Sequence, residues 1–110
     1  MDIEKRLHPR INVDIRCEII FKDKIYDSLI HNVSMGGLYI ESTPDLIGYP
    51  AGLSSNDNIQ VTCVLPSGDN IMLKCQIKWI LIHDKQLNIG VELIESPSAF
   101  FDFVKEMELT

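Results

Sequence analysis

Two arginines stand four positions apart in the stretch Lys5-Arg6-Leu7-His8-Pro9-Arg10, the densest run of positive charge in the chain. Arginine carries a planar fork of donors that can bind guanine O6 and N7, or a phosphate, with two bonds at once, and its flat face stacks on a purine. Lysine supplies charge without the fork. Pro9 lacks an N–H and pushes His8 toward extended conformations, so no continuous helix is predicted through Arg6 and Arg10. The two belong to a loop or extended arm, a segment that can wrap a ligand. A solvated N-terminal tail has the same composition, and the pair alone does not separate these readings.

The second candidate is Asn32-Val33-Ser34-Met35-Gly36-Gly37. If a strand continues to Ser34, the side chains of Asn32 and Ser34 leave the same face of the sheet. Asparagine can donate to or accept from a base edge, and serine can reach a phosphate. Gly36 and Gly37 permit positive φ and let a ligand approach the main chain closely. An ordinary serine turn closed by glycine fits the same residues.

Elements that could position these groups follow from periodicity. Ile11, Val13, Ile15, Cys17 and Ile19 alternate with polar residues, the period of a half-buried strand. Lys22-Asp23-Lys24 turns the chain into a second strand, Ile25 to Val33, and Leu38 to Glu41 makes a short third. Ser42 to Asn58 holds Pro44, Gly48, Pro50 and Gly52, which predicts little regular structure and a connection that is either functional or draped over a barrel end. Ile59 to Leu65 and Ile71 to Trp79 alternate on either side of Pro66-Ser67-Gly68-Asp69. Ile82 to Gln86 reads as the next turn, and Leu87, Ile89, Val91 and Leu93 as a sixth strand with Gly90 on its other face. Ser96 reads as an N-cap with Pro97 at the first helical position, and Phe100, Val104 and Met107 form an apolar stripe. Six successive strands without helical crossovers predict an all-β antiparallel barrel, with one C-terminal helix over one end.

Bulk properties narrow the function. A chain of 110 residues with 45% hydrophobic content suits one domain. Residues 1–10 are expected to form a ligand-binding arm, and 11–110 the barrel with its helix. A net charge of −6 opposes nonspecific attachment to nucleic acid or an anionic membrane, so an anionic ligand needs the local basic site. No apolar run approaches the roughly 20 residues that span a bilayer. The charged N-terminus lacks the apolar core of a secretory signal, so no membrane insertion and a cytoplasmic location are expected. Cys17, Cys63 and Cys75 fall at inward positions without a CxxC pair and read as buried reduced thiols. His8, His31 and His83 show no ligand spacing, so no metal or other cofactor is expected. Asp14 and Glu18 share a strand face, but no catalytic triad or Cys-His pair can be placed by spacing, so binding without turnover is expected rather than an enzyme. Tyr26, Tyr39, Tyr49 and Trp79 are few aromatics for an RNA-binding barrel, and the acidic balance opposes one.

In their order and separation the two polar elements resemble the signature of the PilZ family. Arg6 and Arg10 match its Arg-x-x-x-Arg motif, and Asn32, Ser34 and Gly37 match its Asp/Asn-x-Ser-x-x-Gly motif. Ile77-Lys78-Trp79 and Gly90-Val91-Glu92-Leu93 look like the family's late strand pair, so the resemblance covers nearly the whole chain. It implies a six-stranded barrel that binds the second messenger cyclic di-GMP. Arg6 and Arg10 would grip guanine and phosphate, while Asn32, Ser34 and Gly37, with the adjoining Gly36, would seat the other side. Lys5 precedes the arginine motif, a position that in the family influences whether one nucleotide or an intercalated pair binds; both stoichiometries stay compatible with the sequence. Asn32 is the amide variant, which removes a negative charge beside a dianionic ligand. The resemblance further implies ordering of the arm on the ligand and signalling to a separate effector protein in bacterial motility or biofilm control. The alternative is a PilZ-like adaptor acting by protein contact without nucleotide.

Overall fold

The structure, a computed structural model, describes residues 9–109; Lys5, Arg6 and the rest of residues 1–8 lie outside the described residues. The alternating segments form six strands: β1 (Ile11–Phe21), β2 (Lys24–Val33), β3 (Gly37–Ser42), β4 (Asn58–Val64), β5 (Asn70–His83) and β6 (Gln86–Glu95). All pairs are antiparallel, and the order β1-β2-β3-β6-β5-β4 closes into a barrel. Two consecutive meanders, β1-β2-β3 and β4-β5-β6, are thus joined along two seams, β3 with β6 and β1 with β4. Inward positions such as Ile19, Ile40, Val61, Leu73, Leu87 and Ile89 are wholly buried. Each such side chain contributes about 1.5–3 kcal/mol through burial.

Both barrel ends are plugged. Between β3 and β4 a short 3-10 turn at Pro44–Leu46 is capped by the Thr43 hydroxyl, which accepts from Asp45 N. This connection sends Leu46, Ala51 and Leu53 into the core. The Lys22 ammonium, on the β1–β2 turn, donates to Ala51 O at 2.9 Å and pins the connection there. At the opposite end α1 (Ser98–Glu108) buries Phe100, Phe103 and Val104.

The helix starts one residue later than the sequence implies. Pro97 has ψ 160°, an extended conformation, so it takes the N-cap position itself, without a side-chain cap bond, and Ser96 lies outside. The fifth strand is also longer than expected: Leu81 pairs with Asn88 and Ile82 with Leu87, and the turn contracts to Asp84-Lys85 rather than Ile82 to Gln86. Positive φ at both turn residues, 50° and 66°, gives the two-residue geometry whose twist matches the flanking strands, so pairing runs to its end. Lys22-Asp23 makes the same kind of turn, with φ of 52° and 67°.

The three cysteines are buried and free, with Cys17 directly opposite Cys63 across the β1–β4 seam. Burial pushes the Cys17 thiol up to about 12, helped by the neighbouring Cys63, Cys75 and Glu18; burial alone takes Cys63 to about 11 and Cys75 to about 12. These thiols stay protonated at neutral pH, and an uncharged thiol is a poor nucleophile. Among the described residues no helix is long and apolar enough to cross a membrane, and no group of three or more His, Cys, Asp or Glu is placed to hold a metal ion.

Candidate ligand-binding site

Two bulges of the same kind shape one outer wall of the barrel. Ile30 faces Ile40 while Asn32 faces Tyr39, so His31 is an extra residue in β2; Ile77 faces Val91 while Trp79 faces Gly90, so Lys78 is an extra residue in β5. Each bulge resets the alternation. Ile30 and Val33 both point into the core with Asn32 turned outward, and Ile77 is buried while Trp79 is turned outward with 37% of its surface exposed.

The Ser34–Gly37 turn closes the gap between β2 and β3 by its own hydrogen bonds. The Ser34 hydroxyl accepts from the amides of Gly36 (3.2 Å) and Gly37 (3.1 Å), and Ser34 N donates to Gly37 O at 3.0 Å. Leu93 N donates to Gly36 O at 2.9 Å and ties the turn to β6. Since β2 ends at Val33, Ser34 lies beyond the strand, and the same-face relation with Asn32 is replaced by convergence across the turn. Positive φ is not what the sequence needs at Gly37; among the described glycines it falls at Gly52 and Gly68. Gly37 is required because a Cβ there would fall on the Val91 carbonyl oxygen of β6.

Gly90 serves a second close approach, since a Cβ on it would occupy the space of the Trp79 indole. That indole lies edge to face with Tyr39 (centroids 5.4 Å apart, planes at 78°), and Tyr39 meets His31 in the same way at 5.7 Å. His31 Nε2 bonds Glu41 Oε1 at 2.7 Å, which fixes the end of this aromatic row.

Arg10, Asn32, Ser34, Gly36 and Gly37 line one cavity of about 600 Å³, with Trp79, Gly90, Lys78 and Glu92 on its other side. Five of the seven residues singled out in the sequence are thereby brought together; Lys5 and Arg6 lie outside the described residues. Among the described residues the Asn32 side chain has no hydrogen-bond partner, and the Ser34 hydroxyl, accepting two amides, keeps its own proton free to donate. Across the cavity Lys78 Nζ pairs with Glu92 Oε1 at 3.1 Å. The wall therefore offers a guanidinium, an ammonium, amide and hydroxyl donors, and an aromatic surface on which a base can stack.

In the sequence Lys78, Trp79, Gly90 and Glu92 belong to a late strand pair, and no motif gives them a part in the site. The available signal was the outward glycine at Gly90, which marks a close approach inside a strand. Which side chain makes that approach depends on the Lys78 bulge, which alternation alone does not locate.

The PilZ domain family model matches residues 4–100, and the chain belongs to the PilZ family. No curated protein matches the sequence. The structure is similar to the Bacillus subtilis inhibitor of motility MotI/DgrA, with a TM-score of 0.75 and 16% identity over 97% of this chain and 52% of that one. It is also similar to the PilZ domain with cyclic di-GMP of YcgR from Escherichia coli, with a TM-score of 0.72 and 15% identity over 96% of this chain and 92% of that one. A third similar structure is the K. pneumonia MrkH–cyclic di-GMP complex, with a TM-score of 0.72 and 15% identity over 97% of this chain and 52% of that one. The chain spans about half the length of MotI and MrkH. At these identities the likeness is one of fold.

Proposed function

We propose that this domain is a cyclic di-GMP receptor. The observation that carries the reading is the convergence of Arg10, Asn32, Ser34, Gly36 and Gly37 on one cavity of a PilZ barrel, beside an exposed indole. The solved PilZ domain of YcgR and the MrkH complex, both with cyclic di-GMP, support the choice of ligand.

In this reading residues 1–10 form an arm that delivers Arg6 and Arg10 to guanine and phosphate, with Lys5 beside them, while 11–110 supply the other wall. The free Ser34 proton is donated to a phosphate oxygen, Asn32 meets a base edge, and Gly36 and Gly37 admit the ligand to the main chain. Charge-assisted bonds offset the entropy lost when the arm orders. The closed arm and its nucleotide then form a surface for a separate effector protein. The domain binds without turnover, needs no metal or other cofactor, and acts in the cytoplasm.

Calorimetric titration of the full chain with cyclic di-GMP, with GTP as control, tests this directly. Saturable binding is expected for the wild type and a loss of at least about tenfold in affinity for Arg6→Ala and Arg10→Ala. Ser34→Ala, checked for folding, is expected to weaken binding as well. No heat and no shift in melting temperature with excess ligand would overturn the receptor reading.

A further inference from the structure

The cavity holds a carboxylate where an anionic ligand is proposed to sit. Glu92 lies on the outward face of β6, opposite Gly37 of β3 and Gln76 of β5. Gly37 carries no side chain, so nothing on that residue stands between Glu92 and the Ser34–Gly37 turn. The Glu92 carboxylate accepts from Lys78 Nζ, which also donates to Gln76 Oε1 at 3.3 Å. Both partners are about half exposed, at 46% and 56%, so the pair is weakly held and can exchange for a ligand contact.

Beside a phosphate such a carboxylate is repulsive. Beside a base edge it discriminates. Guanine presents N1–H and N2–H side by side on its Watson–Crick edge, a donor pair matched to the two oxygens of a carboxylate. Adenine sets an N1 acceptor there, which would leave the carboxylate facing a lone pair. The aromatic surface that could carry the base is one step away, because Gly90, over which Trp79 lies, is two residues from Glu92 on the same strand face.

We propose that Glu92 reads the Watson–Crick edge of one guanine, its carboxylate accepting from N1–H and N2–H, and that Lys78 holds it in the empty site. This rests on the receptor reading and adds to it a base-selecting residue outside the two signature motifs. Once the nucleotide covers this half-exposed carboxylate, a base that offers it no donors leaves it unpaired, and that difference discriminates between bases.

The test is titration of wild type, Glu92→Gln and Lys78→Met with cyclic di-GMP, cyclic di-IMP, which lacks the N2 amine, and cyclic di-AMP. Wild type is expected to prefer them in that order. Glu92→Gln, nearly the same shape, is expected to lose about ten- to hundredfold in affinity for cyclic di-GMP, with little change for cyclic di-AMP. Lys78→Met is expected to keep the preference among bases. If Glu92→Gln binds cyclic di-GMP as well as wild type or better, the carboxylate is only a partner for Lys78 and the inference falls while the receptor reading stands. If wild type binds none of the three, both fall.

Discussion

At Gly37 the addition of one methyl group tests how closely β3 and β6 must approach. The Cβ of Gly37→Ala meets the Val91 carbonyl, a backbone atom that cannot rotate away. The expected cost is about 1–3 kcal/mol, measured as a drop in urea midpoint, with weaker ligand binding because the cavity floor shifts. An unchanged midpoint would mean that the seam has slack. Much of the residue-level design was legible: the types and order of Arg10, Asn32, Ser34 and Gly37 point to one polar site. Their relation in space was not. The sequence leaves two arrangements open, Ser34 sharing a strand face with Asn32 or closing a glycine turn, and the structure shows the turn, with the Ser34 hydroxyl accepting from two amides. A serine two positions after another polar residue carries the same signal in either case, and only the point where ladder pairing stops decides between them.

Strict alternation makes β1 and β4 legible in the sequence, because a one-residue slip would expose the whole apolar set. Strand ends carry less signal. β5 continues four residues past Trp79 although Ile80 to Ile82 break the alternation, since backbone pairing with β6 compensates for the exposed Leu81 and Ile82. Asp84-Lys85 reverses the chain with two side-chain-bearing residues at positive φ, a conformation that aspartate tolerates and lysine does not favour. Replacing them by Asn-Gly is therefore expected to stabilise the protein by about 1 kcal/mol without altering affinity for nucleotide. Equilibrium urea unfolding and a titration of the same variant check the two halves of that statement. A lower midpoint would show that the contact of Asp84 Oδ2 with His83 Nε2, at 3.3 Å, outweighs the gain in turn geometry.

For the molecule as a whole, the two-meander plan separates contacts by range. Pairing within β1-β2-β3 and within β4-β5-β6 is local, whereas β3–β6 and β1–β4 join residues distant in sequence. Local pairs form readily, and distant ones require a large loss of chain entropy first. The cavity straddles one of these distant seams: Asn32, Ser34 and Gly37 belong to the first meander, and Trp79, Gly90 and Glu92 to the second. On the proposed receptor reading, a nucleotide held there bridges halves whose long-range junction is expected to be completed late in folding. Stopped-flow unfolding with saturating cyclic di-GMP is accordingly expected to be slowed, with the refolding rate nearly unchanged. Equal slowing in the presence of GTP would argue against a specific bridge. With slowing by cyclic di-GMP alone, the seam would be a latch on lifetime as well as the proposed place of binding. Where proteases remove chains that open, the concentration of cyclic di-GMP would then set how long the proposed receptor survives.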